Sequence, residues 1–270
     1  MDSEKKFLEN YNIKDYERPS VTTDIVIFTM RTKEEESYRR NPRNALSVLL
    51  IKRAQHPFKD CWALPGGFLA PGETVEECAL REVVEETQVE PAAMLPTGVY
   101  SETGRDPRGW IISNAFASVI SSDSVEPVGG DDAGDARWFD LEISENEDET
   151  LKLTLTNGET VITSILKEKK RQFDKSQYEI IDSGSLAFDH AKMIATSLSV
   201  LRAEAKNTEA LFDFLPEKFT LAELQGIYET IMNISVLTAN FRRKIAGYVV
   251  ETDESTAGAG HRPARLYRRK

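Results

Sequence analysis

The sequence predicts an α/β domain followed by a small helix-turn-helix domain with a β-hairpin wing. In the first part, strand-like runs rich in β-branched residues precede a helix that starts near Thr74. A second amphipathic helix is expected over 186–205. Beyond Asn207 the pattern changes to two short helices and two short strands. With 270 residues and 40% apolar content, the chain is long enough for a core in each of two domains.

Charge is distributed unevenly along the chain. The formal net charge is −11, which argues against a protein that coats nucleic acid with its whole surface. The last thirty residues, 241–270, hold eight Lys/Arg against three Asp/Glu, a net of +5, so residues 1–240 carry −16. This asymmetry indicates that any contact with a polyanion involves the C-terminal end.

The remaining composition indicates a cytoplasmic protein. Cys61 and Cys78 are isolated in sequence, without the spacing of a zinc site, and fit a reducing compartment. No apolar run approaches the ~18 to 20 residues needed to cross a bilayer, so no membrane partner is expected. The N-terminal segment is polar and mixed in charge, unlike a secretory signal.

Each expected element has a local signal. Alternating or apolar β-branched runs predict strands, and Asn157-Gly158 predicts a tight hairpin turn. The expected strands are 21–30, 45–53, 98–103, 109–120 and 137–139, with a hairpin near 151–165. Thr74 and Glu77 have capping-box spacing at the start of the first helix.

The first helix concentrates carboxylates on one face. Glu82, Glu85 and Glu86 stand at i, i+3 and i+4, within an arc of roughly 100°. Such acids repel one another unless a cation lies between them, and hard oxygen ligands at this density suit Mg²⁺ or Mn²⁺. Arg81, four residues before Glu85, can pair with it along the helix. Taken alone, an acidic run on a helix is usually a solvated face.

The wider pattern resembles the Nudix box, the signature of hydrolases that cleave nucleoside diphosphates linked to another group. Seven fixed positions match at the expected spacing: Gly67, Glu73, Arg81, Glu82, Val83, Glu85 and Glu86. The one departure is Gln88, where the family has glycine just past the helix. Glycine takes the left-handed backbone conformation without penalty, whereas Gln costs about 1 kcal/mol or ends the helix differently.

The resemblance implies a fold and a set of roles. It implies an α/β/α sandwich with a mixed sheet, which would span residues 1–206, with a second domain over 207–270. Glu82, Glu85 and Glu86, with the backbone carbonyl of Gly67, would hold Mg²⁺ or Mn²⁺. Glu73 would support the loop, and Arg81 would orient Glu85.

Residues outside the box are candidates for substrate contact and proton transfer. Arg105 and Arg108 flank an Asp-Pro turn, which is either a plain turn or a phosphate clamp. A similar RDPRG turn recurs in the ADP-ribose-directed branch of the family, which favours ligand contact, and Arg53 is a further candidate at the end of the second strand. Possible general bases are Asp131, Asp132 and Asp135, although a solvated acidic loop explains them equally well.

Single aromatic and imidazole side chains are harder to assign. Phe58, Tyr100 and Trp110 are each able to stack on an adenine base, and each is equally suited to a core. His190 lies within the second predicted amphipathic helix, where packing or hydrogen bonding is a more frequent role than metal ligation.

The C-terminal segment predicts a winged helix-turn-helix. Thr220 caps one helix, a second helix is expected over 235–246, and two strands follow as a wing. Cations lie on the two elements that such a fold presents to DNA. The candidate DNA-binding residues are Asn240, Arg242, Arg243, Lys244, Arg262 and Arg265. Alternatively, the basic end is solvated and the small domain only joins subunits.

The two halves together resemble the Nudix-related transcriptional regulators of NAD metabolism and their ADP-ribose pyrophosphatase relatives. The resemblance covers the chain from about Arg18 onward. It implies a homodimer that takes a nucleotide-sugar substrate or effector and binds operator DNA. Many regulator members are expected to have a degraded box, but the acidic ligands are kept here. We therefore expect a metal-dependent hydrolase converting ADP-ribose to AMP and ribose 5-phosphate; the alternative is an ADP-ribose-sensing regulator of NAD or sugar metabolism with little or no hydrolysis.

Overall fold

A mixed β-sheet forms the centre of the molecule in a computed structural model. The structure describes residues 2–33, 43–89, 91, 94–121, 133–158, 160–172, 175–207, 209–256 and 263–270. Three predicted site residues, Asp131, Asp132 and Arg262, lie outside the described residues.

The helices are α1 (Asp2–Asn10), α2 (Val75–Thr87), α3 (His190–Lys206), α4 (Leu221–Met232) and α5 (Thr238–Ile245). Short 3-10 helices occupy Ile13–Asp15 and Glu209–Phe214. In the part of the chain that the structure describes, no helix is long and apolar enough to cross a membrane.

The strands are β1 (Ser20–Lys33), β2 (Arg43–Arg53), β3 (Trp62–Ala63), β4 (Leu95–Tyr100), β5 (Ile111–Ile120), β6 (Ala133–Glu145), β7 (Thr150–Asn157), β8 (Thr160–Gln172), β9 (Lys175–Asp182), β10 (Val249–Ser255) and β11 (Arg265–Arg269). The described strands β1 to β9 form one sheet in the order β4-β5-β1-β2-β6-β7-β8-β9, with β3 paired to β2. The β1–β5 pair is parallel and the other pairs are antiparallel, so the sheet is mixed as expected.

Helices cover both faces of the sheet. On one face, Ala79 and Val83 of α2 pack with Ile25, Ile27 and Trp138. The opposite face belongs to a larger core cluster that includes the apolar side of α3. Burying apolar side chains on both faces is the arrangement of an α/β/α sandwich, and the predicted fold class is confirmed.

The C-terminal helices share the core of the α3 face. Leu224 of α4 and Phe241 of α5 belong to the same cluster as Leu198 of α3. The antiparallel pair β10–β11 forms the wing, and it is joined to the start of α4 by reciprocal backbone hydrogen bonds between Phe219 and Tyr267, at 3.0 and 2.8 Å. The predicted winged helix-turn-helix is therefore present and is packed directly against the sandwich.

Two helices begin later than their sequences suggest. Helix α3 starts at His190, not Leu186, because Phe188 has φ +50 and Leu186 bridges to Trp62 beside the sheet. Helix α5 starts at Thr238, three residues after the predicted start, because Leu237 is still extended with φ −65 and ψ 127. Strand β9 was not predicted, and it completes a three-stranded antiparallel extension with β7 and β8.

Candidate active site and nucleic-acid interface

The loop before α2 and the ends of that helix have the predicted local structure. Thr74 accepts a hydrogen bond from the Glu77 amide at 3.2 Å, and the Glu77 carboxylate accepts one from the Thr74 amide at 2.8 Å. At the other end, Gln88 adopts the left-handed conformation with φ 57, and its amide donates to the Val84 carbonyl. The helix thus ends as a glycine would end it, despite the glutamine.

Arg81 donates hydrogen bonds to three carboxylates, two on α2 and one in the loop before it. Its guanidinium donates a fork of two hydrogen bonds to Glu73, at 3.1 and 2.8 Å. It also contacts Glu82 at 2.7 Å, Glu85 at 3.1 Å and the Phe68 carbonyl at 3.3 Å. The hydrogen bonds that Glu73 accepts from Arg81 and from the Ala70 amide lower the pKa of Glu73 to about 2. Glu73 in turn accepts from the amide of Ala70, so the pair fastens the loop to the helix.

Glu86 lies deeper than its neighbours. Its carboxylate accepts a hydrogen bond from the Gly66 amide at 2.9 Å. Burial raises the pKa of Glu86 to about 8, against the lowering effect of that bond, and the charge of Glu82 raises it further. Burial also raises the pKa of Glu82. Burial therefore disfavours the ionised form of both carboxyl groups, Glu82 and Glu86.

The oxygen donors around this face suit a divalent cation. Gly67 lies against Glu82: an added Cβ would come within 2.3 Å of the Glu82 carboxyl carbon. The Gly67 carbonyl accepts hydrogen bonds from the Thr23 amide at 2.9 Å and from Cys78 Sγ at 3.9 Å. Across the described residues, no three His, Cys, Asp or Glu side chains already form a metal cluster. Carboxylates are hard oxygen ligands, and a bound cation would offset the burial that raises the pKa values of Glu82 and Glu86.

A cavity of about 150 Å³ adjoins the glycine loop. It lies where β1, β2, the loop before β5 and the start of α3 meet. Its lining includes Thr22, Asp24, Arg53, Gly67, Phe68, Arg105, Arg108, Phe188 and His190. The structure therefore brings all three arginines predicted to bind substrate to one place beside the box.

Two of these arginines contact the ring of the same residue, Phe188. The guanidinium carbons of Arg53 and Arg108 lie 5.0 and 5.4 Å from the ring centre of Phe188, and Arg108 is also 4.9 Å from that of Phe68. Burial lowers the pKa of Arg53, and repulsion from Arg108 adds to the effect. Arg108 donates hydrogen bonds to both carboxylate oxygens of Asp106, the shortest at 2.7 Å. Like charges held together in a cavity favour an anionic ligand.

Arg105 has a different environment. Its side chain is only 4% exposed and forms a fork with Asp189, at 3.0 and 2.7 Å. Asp24 lies 3.8 Å from Arg105 and 3.3 Å from His190, whose Nδ1 accepts from the Leu64 amide at 2.8 Å. Although burial opposes it, His190 and other partners lower the pKa of Asp24. Arg105 thus fixes the start of α3, and His190 has the hydrogen-bonding role expected of it.

The other predicted candidates lie in different parts of the structure and do not form one group. Asp135 on β6 forms an ion pair with Arg137 at the end of the sheet. Tyr100 is buried in the α3-side core, which argues against stacking on a ligand, whereas Trp110 is exposed. Phe58 packs on Phe188, with ring centres 4.6 Å apart, and so borders the cavity.

The predicted DNA-binding residues follow α5 and the wing. Asn240, Arg242 and Arg243 are exposed, and Arg243 donates to Asn240 at 2.7 Å. Lys244 lies over the ring of Tyr228 on α4, 4.3 Å from its centre. Arg265 on the wing pairs with Glu251 at 3.0 Å. Arg242 and Arg243 are therefore the α5 cations best placed to meet phosphates.

The sequence did not reveal the aromatic wall of the cavity. The expected helix over 186–205 includes Phe188, which in the structure belongs to the turn before α3. No sequence pattern distinguishes Phe68 from the residues beside it in the loop before α2. Asp189 is the one sequence signal for the later start of α3, because Asp is favoured as the residue just before a helix. In the structure its side chain makes no cap bond and binds Arg105 instead.

Comparisons with known proteins agree with this architecture. The NUDIX domain profile matches residues 37–155, and the NrtR DNA-binding winged helix domain profile matches 211–269. The ADPR responsive transcriptional repressor NtrR of Acinetobacter baylyi is 30% identical, over 98% of this chain and 88% of its own length. An ADP-ribose pyrophosphatase of Methanocaldococcus jannaschii is 41% identical, over 51% of this chain and 73% of its own.

A solved structure supports the same arrangement of both parts. A MutT/nudix family protein from Enterococcus faecalis superimposes with a TM-score of 0.76 at 27% identity, covering 100% of this chain and 93% of that one. Since a relative at 30% identity is matched over nearly the full length, the relationship extends through both parts. The chain belongs to the family of Nudix proteins that carry an NrtR-type DNA-binding winged helix domain.

Proposed function

We propose that this protein is a metal-dependent Nudix hydrolase that cleaves the pyrophosphate of ADP-ribose to AMP and ribose 5-phosphate. The observation that carries the proposal is the complete carboxylate face of α2, organised by Arg81 beside a cationic cavity. The similarity to a pyrophosphatase acting on ADP-ribose supports this choice of substrate.

Glu82, Glu85, Glu86 and the Gly67 carbonyl would hold Mg²⁺ or Mn²⁺, and the donor set does not distinguish these two ions. When bound, such an ion neutralises pyrophosphate charge and makes a coordinated water more acidic. Its charge would also offset the burial that raises the pKa values of Glu82 and Glu86.

The protein's own residues bind and orient the substrate. Arg53 and Arg108 face the cavity together and would bind phosphate oxygens, while Phe188 and Phe68 form an apolar wall that excludes water from one side. Arg81 holds Glu85 in a fixed orientation. We propose that a carboxylate at the start of β6 or just before it in sequence takes the proton from the attacking water, with Asp131, Asp132 and Asp135 as the candidates.

Glu85→Gln tests the enzyme proposal. Glu85 is 59% exposed and forms its ion pair at the helix surface, so the change should leave folding intact and abolish ADP-ribose turnover. Glu76→Gln is the matched control, because it removes an exposed carboxylate from the first turn of the same helix. Retained turnover in Glu85→Gln would refute the assignment.

We propose DNA binding as a second function, with ADP-ribose or a related dinucleotide as effector. Exposed cations on α5 and the similarity to an ADP-ribose-responsive repressor support it. Changing Arg242 and Arg243 to Ala should eliminate a mobility shift on the chain's own upstream DNA, while changing Lys5 and Lys14, which are exposed in the N-terminal segment, should not. No shift by the wild-type protein would count against this function.

The assembly and location complete the proposal. We propose a cytoplasmic homodimer with a sandwich domain ending near Lys206 and a winged domain after it. Deleting the residues beyond Asn207 separates the roles of the two parts. Hydrolysis without DNA binding would assign DNA contact to the winged domain, whereas a change from dimer to monomer would show that this domain joins the subunits.

A further inference from the structure

Residues 64–67 form the segment that carries the backbone oxygen of the candidate metal site. The Pro65 and Gly67 carbonyls accept hydrogen bonds from two amides of β1, both at 2.9 Å. The Gly66 amide donates to the Glu86 carboxylate on α2, also at 2.9 Å. The segment lies close against β1, since a Cβ on Gly66 would come within 2.1 Å of a carbonyl oxygen of that strand. The position of this segment therefore affects where the Gly67 carbonyl and the Glu86 carboxylate lie.

The first residue of the segment is bound by a side chain of α3. The Leu64 amide donates to His190 Nδ1 at 2.8 Å, and these residues are only 2% and 3% exposed. Two residues earlier, the Trp62 carbonyl accepts from the Ala187 amide at 2.9 Å, so the backbone before α3 binds β3 there. At Leu64, where α3 begins, the partner is an imidazole nitrogen. Without this nitrogen the Leu64 amide would be buried without an acceptor unless the segment moved.

The second ring nitrogen of His190 holds the imidazole in one orientation. Because Nδ1 accepts from an amide, the proton of the neutral ring is on Nε2. Nε2 lies 3.3 Å from Oδ1 of Asp24, a buried carboxylate on β1. Asp24 also accepts from Ser113 Oγ and lies 3.8 Å from Arg105 Nη2. Asp24 is thus fixed by its own partners, and it keeps the acceptor nitrogen of His190 directed at the segment.

We propose that His190 is a positioning residue for the metal site. The hydrogen bond that it accepts from the Leu64 amide sets the start of the segment, and the segment in turn places the Gly67 carbonyl and the Glu86 carboxylate. This inference rests on the metal site of the proposed hydrolase. His190 itself is not a ligand, because both of its nitrogens are used within the protein. Loss of a partner that orients metal ligands typically weakens metal binding by about 10- to 100-fold.

Two substitutions separate the two contacts of His190. The carbonyl oxygen of Asn is as many bonds from Cβ as Nδ1 is, so His190→Asn keeps an acceptor for the Leu64 amide and loses the contact with Asp24. The amide nitrogen of Gln is as many bonds from Cβ as Nε2 is, so His190→Gln keeps a donor for Asp24 and has no polar atom at the place of Nδ1. Ser113→Ala is the matched control, because it removes a different hydrogen bond from Asp24 and leaves the Leu64 contact in place.

Binding of Mn²⁺ to the full-length protein is measured by electron paramagnetic resonance, since free Mn²⁺ gives a sharp signal that is lost on binding. His190→Asn and Ser113→Ala should bind Mn²⁺ within about threefold of wild type, whereas His190→Gln should bind roughly tenfold more weakly. Melting temperatures in a chelator check that each variant is folded. Failure of His190→Gln to fold would overturn the inference, because His190 would then stabilise the fold as a whole.

Kinetics with ADP-ribose provide a second measurement. Raising the Mn²⁺ concentration should return the kcat of His190→Gln towards that of wild type, with an unchanged KM for ADP-ribose. A raised KM at saturating Mn²⁺ would overturn the inference, since it would make His190 a substrate contact.

The remaining outcomes separate this inference from the proposed function. Wild-type Mn²⁺ affinity in His190→Gln would overturn the inference alone, as would equal losses in His190→Asn and His190→Gln, which would assign the effect to Asp24. Absence of Mn²⁺ binding by the wild-type protein would overturn the inference and the proposed hydrolase together. Binding of Mn²⁺ without hydrolysis, with the expected order of the variants, would reject the hydrolase and support the positioning role.

Discussion

Replacing Glu86 by Gln removes the most strongly perturbed carboxyl group of the candidate metal site. The Gly66 amide now donates to the Glu86 carboxylate, and a glutamine oxygen is able to accept the same bond. The shape and the hydrogen bond are therefore retained while the buried charge is lost. The difference between the two proteins in how stability changes with pH then reports on the ionisation of Glu86.

The size of the expected change in stability follows from the pKa of Glu86, which is about 8 in the folded protein against an ordinary carboxyl value of 4.5. The folded protein keeps this proton to about pH 8, whereas the unfolded chain releases it near pH 4.5. Stability is therefore lost as pH rises through this window, at up to about 1.4 kcal/mol per pH unit. Allowing for partial exposure and for the other carboxylates, we expect the variant to gain about 2 kcal/mol relative to wild type between about pH 5 and pH 8.

Thermal unfolding in a chelator, at several pH values, measures this difference. A gain of about 2 kcal/mol corresponds to roughly 4 to 8 °C in Tm for a chain of this size. Adding Mn²⁺ at pH 8 should raise the Tm of the wild-type protein and have a smaller effect on Glu86→Gln, because a ligand has been lost. Parallel Tm curves for the two proteins across this pH range would refute the reasoning.

Three further substitutions test single features of the box. Glu85→Gln should reduce kcat for ADP-ribose by at least about 100-fold with an unchanged Tm, as measured by AMP release; a loss of Tm instead would indicate a structural role. Gln88→Gly should raise the free energy of unfolding by up to about 1 kcal/mol in urea titrations, because φ 57 is strained for glutamine; a decrease would show that the Gln88 side chain stabilises the fold. Gly67→Ala should displace the Glu82 carboxylate, which a Cβ would approach within 2.3 Å, and abolish the metal-induced rise in Tm while leaving the metal-free Tm nearly unchanged; an unaltered metal response would exclude this arrangement.

The parts of the fold that depend on local signals were predictable. The capping pairs Thr74–Glu77 and Thr220–Glu223 place the starts of α2 and α4, and both form as expected. The spacing of the box fixes which carboxylates share a face, because helical geometry is regular. The mixed sheet followed from the family resemblance and is confirmed by the parallel β1–β5 pair.

Features that depend on distant contacts were not predictable in the same way. Phe188 lies in an apolar run with helical periodicity, yet the Leu186 bridge to Trp62 and the Arg105–Asp189 pair hold this segment out of the helix. These partners are far apart in sequence.

The arginines show the same limit. Sequence placed Arg105 and Arg108 symmetrically about a turn, as equal candidates for ligand contact. All three arginines line the same cavity, but their surroundings differ: Asp189 pairs with the buried Arg105, whereas Arg108, paired with Asp106, lies beside Arg53 and the ring of Phe188. Only the tertiary structure shows which cations remain together in the cavity.

The most direct test of the proposed activity is incubation of the wild-type protein with ADP-ribose and Mg²⁺ or Mn²⁺, followed by quantification of AMP. The proposal predicts equal amounts of AMP and ribose 5-phosphate, dependence on the added metal, and loss of both products in Glu85→Gln. Binding of ADP-ribose, detected as a rise in Tm, without any release of AMP would contradict it and leave a sensor in place of an enzyme.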